Sequence, residues 1–311
     1  MKGIEIARRF YEEFGAPMIH EKFPELESQI AVGLVGEGSE CFGFDDEISR
    51  DHDFEPGFCM FIPDGLDSRT EFQLERAYAK LPKEFMGLER LKINPVGGSR
   101  HGVIKTSDFY KAKTGSKNGF TTYGEWINTP EFYLAVATNG EVFRDDLGEF
   151  THLREHYLNM PEDIRLKKLA GCLIMMNQSG QYNYLRCIKH GETGAAQLAV
   201  HEFAQNAMKA VFLLNRKYMP FYKWSFRAMR ELPVLSSLAD SLEFLISSDN
   251  EADTAETKYA VIEDIAGLVI DELKNQNLTD ATCGDLEKHA YSVNDKIYDT
   301  TLRTAHIMMT V

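Results

Sequence analysis

The apolar run Ile30–Val35 (IAVGLV) is followed at once by Gly36, Gly38 and Ser39. A short polar excursion then leads to Asp51 and Asp53, one residue apart. A short run that is apolar on both faces reads as a buried strand, and a buried strand requires a sheet around it. A Gly-Ser turn at the end of such a strand lets backbone N–H groups and a hydroxyl come close to phosphate oxygens. Residues two apart on a strand share a face. Two carboxylates side by side repel each other, so a cation is their natural third party. Together the parts describe a place to hold a metal–nucleotide complex.

The chain has 311 residues, which suggests two domains, and a hydrophobic fraction of 43% is ample for packed cores. The net charge of -14 argues against a general nucleic-acid binder, because phosphate backbones attract basic surfaces. It is compatible with a small acceptor, including a cationic one. Five cysteines with no C-x-x-C pair argue against a disulfide framework or a zinc knuckle and fit thiols in a reducing cytoplasm. The first residues, MKGIEIARRFYEEFG, form a charged amphipathic helix rather than a signal peptide. No apolar run reaches membrane-spanning length.

Strands are expected at Ile30–Val35, Phe58–Ile62, around Gly102–Thr106 and at Glu141–Arg144. Helices are expected at Ile4–Phe14, ended by Gly15 and Pro17, and then at Met18–Ser28, Ser68–Leu81 and Ser107–Lys113. Thr129-Pro130 marks another helix start, with its stop at Asn139-Gly140. Beyond Gly148 the apolar residues recur mainly at helical spacing. Long helices are expected from Pro161, over Ala195–Arg216, Phe221–Glu231, Leu235–Ser247 and Glu256–Lys274, and as one piece over Asp285–Met309. The fold class is therefore α+β, with a mixed α/β domain over residues 1–150 and an all-helical bundle over 151–311.

The order strand, Gly-Ser, helix, Asp-x-Asp resembles the nucleotidyltransferase fold shared with polymerase beta. The blocks GSECFGFDDEISRDHDF, TNGEVFRDDLGEF, QSGQYNY and LLNRKYMPFYKW resemble the uncharacterised domain-of-unknown-function 4037 family. More distantly, the helical half is similar to the bundle of aminoglycoside nucleotidyltransferases. The resemblance implies that Asp51 and Asp53 are catalytic and hold Mg²⁺, one ion or two, on the phosphates of ATP or another nucleoside triphosphate. It implies that Gly38 and Ser39 bind phosphate and that Lys217 or Lys223 offsets its charge. The expected reaction moves a nucleotidyl group onto a hydroxyl of an unknown small acceptor, in the cytoplasm, with no membrane or nucleic-acid partner.

The sequence departs from that superfamily at the third carboxylate. The strand that should carry it, His101–Lys105, has Ile104 and no acid; Asp108 lies just beyond it, Glu141 sits on another extended piece, and Glu202 of the C-terminal domain is the alternative as a base. The competing expectation is a catalytically silent nucleotide-binding or interaction module. Blander readings stand beside the other motifs. Asp45, Asp46 and Glu47 read as a solvated acidic turn, and His52 as a packed histidine. His152 and His156 read as an exposed helix face, since H-E-x-x-H is absent. Gly36-Glu37-Gly38 lacks the third glycine of a dinucleotide fingerprint, and no G-K-[ST] follows it. Arg216, Lys217, Lys223 and Arg227 form either a basic cluster or a snorkelling face over aromatic rings. Gln181, Tyr182 and Asn183 break a helical pattern after Gly180, as cleft-lining residues or as a helix–helix corner.

Overall fold

The computed structural model describes residues 1–48, 55–90 and 100–310. The chain divides into two compact units, Met1–Thr121 with Tyr133–Asn159, and Thr122–Phe132 with Met160–Val311. The fold is α+β, a small mixed sheet with flanking helices and a helical C-terminal region.

Unit 1 opens with α1 (Gly3–Phe10), a π-helical turn Tyr11–Gly15 and α2 (Ala16–Lys22), followed by β1 (Ala31–Leu34) and β2 (Cys59–Ile62). Then come α3 (Ser68–Ala79), the hairpin β3 (Glu84–Phe85) and β4 (Leu88–Glu89), β5 (Gly102–Lys105) and α4 (Thr106–Thr114). After α5 (Tyr123–Asn128) of unit 2, α6 (Glu131–Thr138) leads the chain back into β6 (Glu141–Arg144) and α7 (Glu149–Leu158). The strand order is β5-β2-β1-β6; β1 is antiparallel to both β2 and β6, and β2 is parallel to β5.

Every residue of β1 and β2 is buried, as their unbroken apolar sequence requires. Alternation sends Val32, Met60 and Ile62 into a cluster with Phe10, Ile19 and Leu74. Phe61 stacks on Phe150, centroids 4.0 Å apart, and meets Phe109 edge-on. Each such side chain contributes roughly 1.5–3 kcal/mol by leaving water.

Two local expectations are corrected in this unit. Gly15 and Pro17 do not end the first helix. The π turn passes through Gly15, and Pro17 stands in the first turn of α2, where a missing N–H breaks no bond. Gly15 is needed for close packing, since a Cβ there would lie 2.4 Å from Phe58 Cζ. The β3–β4 hairpin has no counterpart among the expected elements. Its two-residue turn is Met86-Gly87, both at positive φ (53° and 78°).

Unit 2 continues with α8 (Glu162–Met176), a π-helical stretch Asn177–Tyr184, α9 (Leu185–Lys189) and α10 (Thr193–Leu214). It ends with α11 (Tyr222–Arg230), α12 (Leu238–Ser247), α13 (Ala252–Asn275), α14 (Leu286–Asp295) and α15 (Thr300–Thr304). The almost wholly buried α8 packs against α10 and α14. Gly180 lets the π stretch approach its neighbours, for a Cβ there would sit 2.4 Å from Phe203 and 2.9 Å from Ile262.

The single helix expected over Asp285–Met309 is broken. The Asp163 carboxylate accepts the N–H groups of Tyr298 (2.9 Å) and Asp299 (2.8 Å), so they are held outside a helical ladder. Asp299 then caps α15 by accepting from the Leu302 N–H. Buried Lys167 ties the last segment back, donating to Asn294 Oδ1 (2.9 Å) and the Ala305 carbonyl (2.7 Å). Among the described residues no helix is long and apolar enough to cross a membrane.

Candidate functional site

The register pairs Gly33 with Cys59 and Cys59 with Gly102. The end of β1 and the starts of β2 and β5 therefore lie at one edge of the sheet. The turn after β1 leaves from that edge. Gly36 and Gly38 stand at φ +122° and +121°, a region L side chains avoid. Asn139 clamps the turn, its Oδ1 accepting from the Gly36 N–H (2.9 Å) and its Nδ2 donating to the Gly36 carbonyl (2.7 Å). Gly140 donates to the Cys41 carbonyl, and Arg154 spans the carbonyls of Thr138, Asn139 and Gly140. The TNGEV block thus acts as the brace of the turn.

Half-buried Ser39 opens the short helical turn Glu40–Phe42, and its hydroxyl has no partner among the described residues. Arg100, just before β5, pairs with buried Glu40, and Lys113, on α4, pairs with Glu37. A Cβ on Gly38 would fall 2.0 Å from Arg100 Nη2, so the guanidinium occupies the space a side chain would need. Two cations therefore flank Gly38 within unit 1. Sequence reading missed both, because each is distant along the chain and neither belongs to a motif.

Two further carboxylates reach the same edge. Glu55 accepts from His101 (3.0 Å), whose ring fits because residue 57 is glycine. Glu141 lies opposite Leu34 in the β1–β6 register and pairs with Arg8. Each glutamate at this edge is thus matched by Arg100, Lys113, His101 or Arg8. Burial raises the Cys59 thiol to about 12 and pushes Cys41 well up, with Glu40 adding to it. Neither is a ready thiolate.

Asp51, His52 and Asp53 lie outside the described residues. Gly38 and Ser39 form the turn just described. Lys217 and Lys223 belong to unit 2 and are exposed, with Lys223 Nζ 4.2 Å from the ring centroid of adjacent Trp224. Arg216 of the same cluster pairs with Glu162. β5 carries no carboxylate. Of the alternatives, Asp108 is exposed beside Lys117 (3.6 Å), and Glu202 in unit 2 accepts from Asn206 (2.8 Å).

Two bland readings also change. Asp45 is buried rather than solvated, and accepts from the Gly3 N–H (2.9 Å) beside Lys2. His156 is not an open face, because its Nε2 accepts from the Phe120 N–H (3.0 Å). Among the described residues no group of three or more His, Cys, Asp or Glu could hold a metal ion.

No curated protein and no solved structure matches the chain. Residues 126–225, running from α5 through α6, β6 and the following helices into α11, match the family model described as Domain of unknown function (DUF4037), which bears out that part of the resemblance.

Proposed function

We propose that unit 1 binds a Mg²⁺–nucleoside triphosphate at the turn after β1, and that the protein is a nucleotidyltransferase acting on a hydroxyl of a small acceptor in a reducing cytoplasm. The observation that carries this reading is the turn itself. Two positive-φ glycines, a free serine hydroxyl and two flanking cations stand at the end of a buried strand. The donor set fits the groups it would take. Oxygen-only carboxylates at Asp51 and Asp53 suit Mg²⁺, and Arg100 and Lys113 suit phosphate. When bound, the ion would neutralise developing phosphate charge.

In this reading Ser39 donates to a phosphate oxygen beside the Gly36–Gly38 turn. Arg100 and Lys113 exchange a glutamate for the polyphosphate. In the transfer, the acceptor oxygen bonds to the α-phosphorus, the bond to the bridging oxygen breaks and pyrophosphate leaves. The hydroxyl proton passes to a carboxylate or to water.

Calorimetry with a non-hydrolysable triphosphate, with and without Mg²⁺, tests this. Asp53→Ala is expected to abolish Mg²⁺-dependent binding while the protein melts as before; unchanged affinity sinks the reading. The absence of an acid on β5 favours a second reading, a module that holds nucleotide without turning it over. Label transfer from an α-labelled triphosphate to any component of a cell extract would eliminate it.

A further inference from the structure

A cavity of about 370 Å³ lies within unit 2, between the end of α8, the π-helical stretch, α14 and the turn that follows α15. We propose that it is a binding site for a small organic cation bearing hydrogen-bonding groups. This is independent of the nucleotide reading.

The wall is built rather than incidental. π-helical turns are rare and are frequent at functional sites. This one is held by Gly180 against Phe203 and by Gln181, which donates to Glu263 Oε2 (2.8 Å) and the Gly284 carbonyl (3.0 Å) and accepts from the Leu286 N–H (3.0 Å). With Gln181 so engaged, Tyr182 faces the cavity instead.

The chemistry of the lining selects the ligand. Asn177, Gln178, Tyr182, Glu287, Tyr291 and His306 supply its polar groups. Among the described residues, the Gln178 amide, both tyrosine hydroxyls and the Glu287 carboxylate have no hydrogen-bond or ion-pair partner. Asn177 spends its N–H donors on Gln181 and Asp285, which leaves its oxygen, and His306 accepts from Met308 N–H on Nδ1, which leaves Nε2. Glu287 is half-buried. A partly desolvated carboxylate without a counter-charge favours a cation beside it. Among the described residues no lysine or arginine lines the cavity to supply one. Tyrosine faces attract ammonium groups, and Tyr182 already carries the Arg186 guanidinium 4.9 Å from its centroid. An anion would meet Glu287 with no lining cation to offset it.

The test is saturation-transfer NMR and calorimetry on the full chain with choline, ethanolamine and spermidine. Choline is compared with its neutral isostere 3,3-dimethylbutan-1-ol. Saturable binding of at least one cation is expected, with the isostere roughly tenfold weaker than choline if choline is the one bound. Glu287→Gln and, separately, Tyr291→Leu should each weaken the bound cation by about tenfold with melting unchanged. No saturable binding by any of the three, an isostere that binds as well as choline, or full affinity in both variants would overturn the proposal. Should one variant melt early, the other decides.

Discussion

Gly38 shows how much one missing side chain can fix. Its φ is in the left-handed region, and the volume a Cβ would take holds Arg100 and Glu40. Gly38→Ala should therefore destabilise unit 1 by about 1–2 kcal/mol, through backbone strain and displacement of that ion pair. Thermal melting measures this, and a variant as stable as the parent would show that the turn tolerates a side chain. At this scale the sequence was half legible. The glycines and Ser39 announce themselves because backbone geometry demands particular residues locally. Arg100, Lys113 and the Asn139 clamp do not, because only the sheet register brings them to the turn. Asp45 misled for the same reason. An acidic run looks solvated until the chain folds Gly3 and Lys2 onto one member.

Among the elements, the strands read well. β1 and β2, buried on both faces, leave apolar runs that loops do not imitate, and half-buried β5 and β6 also lie within the expected segments. Helix limits were less legible where a distant side chain decides them. Asp163 breaks the last helix from across the unit, and a π turn carries the first one past Gly15. The start of α8 offers a pH test. Arg165, and after it Arg216, hold Glu162 down from about 4.5 to about 2. A carboxylate depressed in the folded state contributes stability above its unfolded value, and that contribution disappears as pH falls toward the folded one. Stability should thus drop between about pH 4.5 and about pH 2 with a slope to which Glu162 contributes. Glu162→Gln should flatten that slope in urea melts across the window; an identical profile would mean that the two arginines do not act on it.

For the whole molecule, charge sets a kinetic expectation. A chain carrying -14 repels a free triphosphate at long range. Raising salt from about 10 mM to about 150 mM shortens the reach of that repulsion. The association rate of a fluorescent triphosphate analogue should therefore rise with salt, the reverse of a basic binder. Stopped-flow mixing reads this directly, and a falling rate would mean that local cations govern the approach.

The route of the chain has a practical consequence. Residues Thr122–Phe132 belong with Met160–Val311, whereas Tyr133–Asn159 belong with the N-terminal part. No single cut, by protease or by a cloning boundary, liberates either half intact. A fragment ending near residue 160 carries an orphaned piece of its neighbour, and one beginning there lacks α5. Dissecting the protein calls for excising residues 122–132 from one product and grafting them ahead of the other, or for working with the undivided polypeptide.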